Sequence, residues 1–430
     1  MTPARFVWLA TAACAALFGT LAVLRHRAFG SGRFDLGNMT QAVWSTAHGD
    51  PLSVTEVHGE QISRLGSHFD PILAALAPLW LLWPSPELLL VVQAVAVALG
   101  ALPVFWLARA RLVWDRPAAA LALAYLLYPP VQWLAVSDFH PVALACPLLL
   151  FGWWFLDQRR LLPFAACAAA AIATKEHVGL AVAGMGLWYA IRYRLRTGTA
   201  IAGAAGLAAL VAALVVIPHY ATAGTSAFES RYDDPRLDGR DVSYLAALLL
   251  PLGLLPLAAP LPLIAAVPEL ALNLLSSTLT QTSVKTHYAA TITPPLLVAT
   301  VYAVERLGER LAYVAVGAAL LGAVALGPIG RIDIEAGPRD AAARRALALV
   351  PNDAAVSATN ALGAHLSTRR RIFSFPVLRE ATWVAVDTRR LTYLDSLRPE
   401  RARKPLAELR RDPRWQLVFA EDGIVVLRRR

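Results

Sequence analysis

Long apolar runs alternate with short polar ones over the first three quarters of the chain. They fall near 6–24, 87–108, 117–136, 141–156, 161–174, 178–191, 199–217, 242–258, 261–275, 289–304 and 311–329. A helix needs about 20 mostly apolar residues to cross a bilayer core, so the pattern predicts about eleven spans. Residues 71–83 are apolar but short and predict a re-entrant or interfacial helix. The runs at 161–174 and 178–191 are also short. They read as two brief spans or as one re-entrant hairpin, and either option leaves the parity of the other spans unchanged.

From about residue 335 charges become dense and the pattern reads as a small α/β unit. Residues 338–350 predict an amphipathic helix, 354–357 and 371–375 short strands, 381–387 a continuous apolar strand, and 405–411 a helix. Residues 415–420 and 423–427 predict a hairpin about Glu421-Asp422-Gly423, a strong turn signal. The expected division is a membrane domain over 1–330, with a first outer loop and short helices at 25–86, and a soluble domain over 331–430. No catalytic motif stands out in the soluble part. Asp387, at a strand end, reads as a cap.

Composition supports the lipid reading. The 430 residues are 57% hydrophobic and only 16% charged, with a mean hydropathy of +0.51, whereas soluble domains carry about a quarter charged residues. The expected class is mainly α: a polytopic transmembrane helical bundle with a small C-terminal α/β domain. The net charge of +10 raises nucleic acid as a partner. Much of the arginine lies in short loops between apolar runs, where it sets orientation, and no nucleic-acid motif is present. Cys14, Cys146 and Cys167 all lie in apolar runs and make neither a zinc pattern nor a disulfide framework. The first apolar run is long for a signal peptide and reads as an uncleaved helix.

With the N-terminus inside, the predicted cytoplasmic loops are 109–116, 157–160, 192–196 and 305–310, short and mostly arginine-rich. The predicted outer loops, 25–86, 137–140, 175–177, 218–241 and 276–288, carry far fewer Lys and Arg for their length. This asymmetry follows the positive-inside rule and places the C-terminal part outside. It also collects the ionisable residues of interest on the outer face: Asp35, His68, Asp70, Asp138, His140, Lys175, Glu176, His177, His219, Glu229, Asp233, Asp234, Lys285 and His287.

Asp35 follows the first span and is a candidate carboxylate for a proton or a cation. It equally suits the N-cap of a helix over 36–44. Gln41 and Trp44 on that helix suit a sugar-binding lip or an interfacial anchor. His68-Phe69-Asp70-Pro71 and Asp138-Phe139-His140-Pro141 are one tetrad with its first and third residues exchanged. Alternate residues of an extended segment face the same way, so each tetrad can aim a carboxylate and an imidazole at one point, as metal or proton-transfer chemistry requires. The plain alternative is helix capping before a proline. Lys175-Glu176-His177 interrupts an apolar stretch. It reads as a tight outer turn or as polar groups dipping into a site, since ionisable residues at membrane depth are costly. Lys285, His287 and Tyr288 add a cation, an imidazole and a phenol, suited to an anionic head group or to an ordinary loop.

Taken together, Phe-Asp-Leu-Gly-Asn with Gln41 and Trp44, the two tetrads, Lys-Glu-His-Val-Gly and His-Tyr before a proline-containing span resemble a family of bacterial predicted membrane proteins of unknown function (DUF2079-like). That family looks related to the GT-C glycosyltransferases, which include protein O-mannosyltransferases and aminoarabinose transferases. The resemblance covers nearly the whole chain. It implies transfer of a sugar from a polyprenyl-phosphate carrier, on the outer side of the cell membrane, to a glycan, lipid or protein acceptor. It implies Asp35 as catalytic base or metal anchor, in the place where better known members carry an acidic pair, with Asp70 and Glu176 sharing the work. His68, Asp138, His140, His177, His287 and Tyr288 then shape the cavity, and Lys175 and Lys285 bind lipid phosphate. No cofactor is certain; a divalent cation, Mg or Mn, has Asp35, His68 and Asp70 as candidate ligands. The alternative is a non-catalytic lipid-binding or transport protein using the same cavity; no repeated halves speak for it.

Overall fold

The first apolar run forms the helix Pro3–Arg27. Pro3 sits in its first turn, the Thr2 hydroxyl accepts from the Arg5 amide at 3.4 Å, and Arg25, His26 and Arg27 fill its last turn. Proline at the start and cations at the end both favour a helix of this polarity. Trp8, Leu9 and Leu17 remain exposed on its outer surface, as a lipid-facing helix requires. A computed structural model describes residues 1–221, 229–232, 239–391, 395 and 400–430. Asp233 and Asp234 lie outside the described residues, as does the side chain of Glu229.

Among the described residues, three helices are long and apolar enough to cross a bilayer: Pro3–Arg27, Pro86–Arg109 and Leu195–Tyr220. Asp115–Leu127 and Pro129–Val136, bent by 52°, make a fourth if counted as one span. Shorter apolar helices are Pro71–Leu82, Pro141–Asp157, Leu161–Ile172, Val178–Arg192 and Leu311–Leu326. By length and composition the expected eleven spans are not reached. Proline is one reason. The runs at 242–258 and 261–275 are not continuous helices. Pro251, Pro256, Pro260 and Pro262 interrupt the backbone ladder, leaving 3-10 turns at Leu250–Leu252, Leu255–Ala258 and Leu261–Ala265 between the helices Gly239–Leu249 and Val267–Leu275.

Small residues set the close contacts. A Cβ on Gly198 would lie 2.2 Å from the Ala190 amide nitrogen, so Val178–Arg192 and Leu195–Val211 meet backbone to backbone. Gly100 leaves room for the Tyr125 hydroxyl, which donates to the Val97 carbonyl at 2.5 Å.

After the first helix the chain makes a single π-helical turn, Arg33–Gly37, that runs straight into the helix Asn38–Ala47. No side chain caps the junction, so Asp35 is not the N-cap that a helix over 36–44 would have given it. A short antiparallel pair follows, β1 (Ser53–Thr55) with β2 (Gln61–Ser63).

Near the C-terminus, β3 (Val356–Ala358), β4 (Ile372–Ser374), β5 (Trp383–Asp387), β6 (Trp415–Glu421) and β7 (Ile424–Arg429) form one sheet in the order β4-β3-β5-β7-β6. The first three are parallel and the rest antiparallel. Asp422 and Gly423 have φ of 48° and 87°, the left-handed pair that a two-residue hairpin demands. Separate apolar clusters form on it. One joins Phe29 to Ala342, Val356, Leu362 and Val426; the other holds Val384, Val386, Leu406 and Leu427. The helix Asn360–His365 was not foreseen, and Glu400–Arg411 begins before Pro405. Asp387 does bind the amides of Arg389 and Arg390 as a cap, and it also accepts from Arg339.

Candidate functional site

Arg33 ties the site loop to the sheet. It is buried, and its guanidinium donates to the carbonyls of Ile372 on β4 (2.7 Å) and Thr55 on β1 (2.6 Å) and to the Ser374 hydroxyl (2.8 Å). Next along, the Phe34 amide donates to Asn360 Oδ1 at 3.1 Å. The π-helical turn is therefore clamped through the two residues before Asp35, whose side chain keeps 51% of its surface open.

Asp35 Oδ1 lies 3.2 Å from His140 Nε2. His140 Nδ1 lies 2.9 Å from the Asp138 carbonyl, and its amide donates to Gln93 Oε1 at 2.9 Å. The His140 ring stacks on His287 with centroids 3.8 Å apart, and His287 meets Tyr288 at 4.2 Å. Burial tends to raise the Asp35 carboxyl. His140, with Arg25 and Arg64, outweighs that and holds it below the usual carboxylate range. Burial, reinforced by His140 and Lys175, pushes the His287 imidazole well below its ordinary value.

The second centre is built from the other tetrad. His68 Nδ1 lies 3.0 Å from Glu176 Oε1, and the Phe69 amide donates to Glu176 Oε2 at 3.0 Å. Burial drives the His68 imidazole down to about 4, against the pull of Glu176. Burial works to raise the Glu176 carboxyl, but His68 and then Lys175 hold it well below the usual range. Together these make a neutral imidazole donating to a carboxylate. A cavity of about 320 Å³ is lined by His68, Lys175, Glu176, Arg231, Glu269 and Tyr288. Lys175 Nζ sits 5.4 Å from the Tyr288 ring centroid, and Arg231 donates to the Tyr288 hydroxyl at 3.1 Å. His177 Nε2 lies 2.9 Å from Glu269 Oε2, out of line for a hydrogen bond. Tyr288 thus joins this cavity, through His287, to the Asp35–His140 pair.

Several expectations need correction. Neither tetrad aims its own imidazole and carboxylate at one point. Asp70 is buried and accepts from Arg64 Nε at 2.9 Å. Asp138 accepts from Arg25 at 2.5 Å and from the Gly32 amide at 2.8 Å. Each aspartate pairs with an arginine, and each histidine takes a carboxylate from elsewhere in the chain. The candidate metal ligands Asp35, His68 and Asp70 therefore do not gather. Among the described residues no three His, Cys, Asp or Glu groups are placed to hold an ion, and the donor set does not fit a Mg or Mn site. Gln41 is buried: it donates to Thr55 Oγ1 (3.0 Å) and to the Arg369 carbonyl (3.1 Å), and accepts from the Thr55 amide (2.9 Å). It packs the loop against the sheet rather than offering a lip. Trp44 meets the His48 ring, tilted by 31° at 4.6 Å, in a separate cleft beside Asp50 and Arg370. Lys285 lies in another cleft, with Arg240 and Tyr244, and over the Trp133 ring at 5.8 Å. His219 is exposed beside Tyr220.

Sequence reading had passed over Arg25, Gln93, Arg231, Asn360 and Glu269. Gln93 and Glu269 carried a usable signal, Gln93 a lone polar residue inside an apolar run and Glu269 the one ionisable residue of another. The others are partners only through distant contacts.

This fold and site define a polytopic helical membrane protein with a clustered, ionisable polar site at one end of its bundle. The chain belongs to the family described as Predicted membrane protein (DUF2079), which matches residues 25–426. Among solved structures it is similar to ArnT from Cupriavidus metallidurans in the apo state, at 14% identity and a TM-score of 0.57. It is similar too to that protein bound to undecaprenyl phosphate, at 14% identity and a TM-score of 0.56. Each match covers 96% of this chain and 97% of that one. At such identity the likeness shows the fold alone. No curated protein matches the sequence.

Proposed function

We propose that this protein is a membrane glycosyltransferase that moves a sugar from a polyprenyl-phosphate donor to an envelope acceptor. The observation that carries this reading is the half-open Asp35 carboxylate, paired with His140 and linked through His287 and Tyr288 to the cavity that holds Lys175 and Arg231. The ArnT structure with undecaprenyl phosphate supports a polyprenyl carrier.

In the proposed step the acceptor hydroxyl attacks the anomeric carbon of the donor. Its proton passes to Asp35, the new C–O bond forms, and the bond from the sugar to the phosphate oxygen breaks. The electron pair leaves with polyprenyl phosphate, whose charge Lys175 and Arg231 offset. His140 keeps Asp35 ionised and aimed. Glu176, fixed by His68 and the Phe69 amide, accepts from a sugar hydroxyl. Asp70 has no direct part in this scheme; its contact with Arg64 makes it a support.

The same reading puts 1–330 in the membrane with the N-terminus cytoplasmic, and 25–86 with 331–430 on the outer face. Its support is the arginine-rich loops at the ends of the helices opposite the site.

The test compares envelope glycolipids and polymers by mass spectrometry in a deletion strain carrying wild type or Asp35→Asn. Loss of one glycan in the deletion, restored by wild type alone, is the expected result. Full restoration by Asp35→Asn removes Asp35 as the base. A deletion that changes no glycan favours the alternative, a non-catalytic lipid-binding or transport role for the same cavity.

A further inference from the structure

A second cavity, of about 400 Å³, lies at the far end of the helices that carry the candidate site. His177 precedes Val178–Arg192, and Arg192 closes it; Tyr288 precedes Thr293–Leu307, and Arg306 lies in its last turn. At 1.5 Å per residue this separates the two ends by about 22 Å. The proline-broken turns Leu255–Ala258 and Leu261–Ala265 pack against these helices and leave a wedge instead of a continuous span.

Arg192 and Arg306 come from different helices and line this wedge with Trp188, Leu261, Tyr302 and Glu305. Glu305 accepts from Arg111 through both its oxygens, at 3.0 and 3.2 Å. Arg111 also binds Asp157, which accepts from Tyr193 at 2.9 Å and Tyr302 at 2.8 Å. The two acids nearby thus share Arg111, and with Arg192 and Arg306 the cations outnumber them three to two. Arg192 and Arg306 pair with no carboxylate among the described residues; Arg306 makes only a long contact, 3.4 Å, to the Ala258 carbonyl. Arginines at helix ends ordinarily just set orientation. Here two of them converge on one cavity whose remaining wall is apolar and aromatic, the arrangement expected at a lipid head-group boundary.

We propose that this cavity is a site for an anionic glycerophospholipid. The forks of Arg192 and Arg306 take the phosphate, and an acyl chain runs along Pro260 and Leu261. The assignment stands apart from the transferase reading and from its residues.

The test uses full-length protein in nanodiscs of phosphatidylglycerol and phosphatidylcholine, with retained lipid counted by native mass spectrometry. Wild type is expected to retain phosphatidylglycerol preferentially, and excess inorganic phosphate to leave it bound. Arg192→Gln with Arg306→Gln is expected to lower that preference about twenty-fivefold, roughly fivefold for each basic residue at a membrane surface. Arg116→Gln with Arg194→Gln, an equal charge change outside the cavity, is expected to keep it. Equal retention by both double variants, or release by phosphate alone, overturns the assignment. Should the first double variant not fold, each single glutamine variant is expected to lose about fivefold, and no loss in either has the same negative meaning.

Discussion

His140 stacks on His287 at 3.8 Å while its Nε2 faces Asp35 Oδ1 at 3.2 Å. Its Nδ1 faces the Asp138 carbonyl at 2.9 Å. A carbonyl and a carboxylate can only accept. The imidazole is therefore the donor available to either oxygen. Against the pull of burial, His140 through this contact holds the Asp35 carboxyl below the usual carboxylate range, which suits the proposed role of a general base.

One consequence concerns the pH profile of transfer. His140 lowers the Asp35 carboxyl, so removing it lets Asp35 take up a proton at higher pH. His140→Gln is expected to move the acid limb of the activity profile upward, with a smaller loss at high pH. Asp35→Asn is expected to lose activity at every pH, by about 10² to 10⁴ if it is the general base. Transfer rates from a polyprenyl-phosphate sugar donor across pH 4 to 9 read both; an unshifted limb in His140→Gln dissociates the pair.

Arg64 and Asp70 are 6% and 2% exposed, so breaking their pair strands a buried charge. Arg64→Ala is expected to destabilise the fold by about 3–5 kcal/mol. Adding Asp70→Asn should recover much of that loss, because the stranded charge is gone. Thermal melting of single and double variants in detergent measures the difference. Additive losses would sink the account.

Two buried groups oppose each other in acid. Burial raises the Asp70 carboxyl from 3.8 to about 6, with Arg64 pulling the other way. Its protonated form suits the fold, so its contribution falls as pH rises from about 4 to 6 and is flat above. Burial lowers His68 from 6.5 to about 4. Its neutral form suits the fold, so its contribution grows as pH rises from about 4 to 6.5. Asp70→Asn is therefore expected to steepen the gain in melting temperature across that window, and His68→Gln to turn it toward a loss. Curves parallel to wild type in both variants contradict these assignments.

Arg33 joins loop to sheet through bonds to β1 and β4. Arg33→Ala leaves the Thr55 and Ile372 carbonyls short of a donor, at about 1–3 kcal/mol each. Faster protease release of the segment after residue 330 is expected, with the helical core intact. Cleavage at the wild-type rate would mean that the sheet is held by its apolar contacts alone, through Phe29.

Much of this protein is written in local sequence. Apolar runs of span length determine a helical membrane protein, because backbone groups in lipid must bond within their own segment. The hairpin at Asp422-Gly423 follows from residues that tolerate positive φ. The gathering of ionisable residues at one end follows from the cost of placing them deeper. What only the tertiary structure decided is who pairs with whom. Spacing put His68 beside Asp70 and Asp138 beside His140; in the fold Arg64 and Arg25 take the aspartates, while Glu176 and Asp35 take the histidines. Asp35 and His140 are 105 residues apart, and His68 and Glu176 are 108 apart. Such contacts depend on how helices cross, not on any local period. Gln41, which suited a sugar-binding lip or an interfacial anchor, is instead a buried tie to the sheet, as is Arg33, because each has a partner more than 300 residues away besides Thr55. Asp35, where the site begins, was visible in the sequence; the histidine that sets its charge was assigned by the fold.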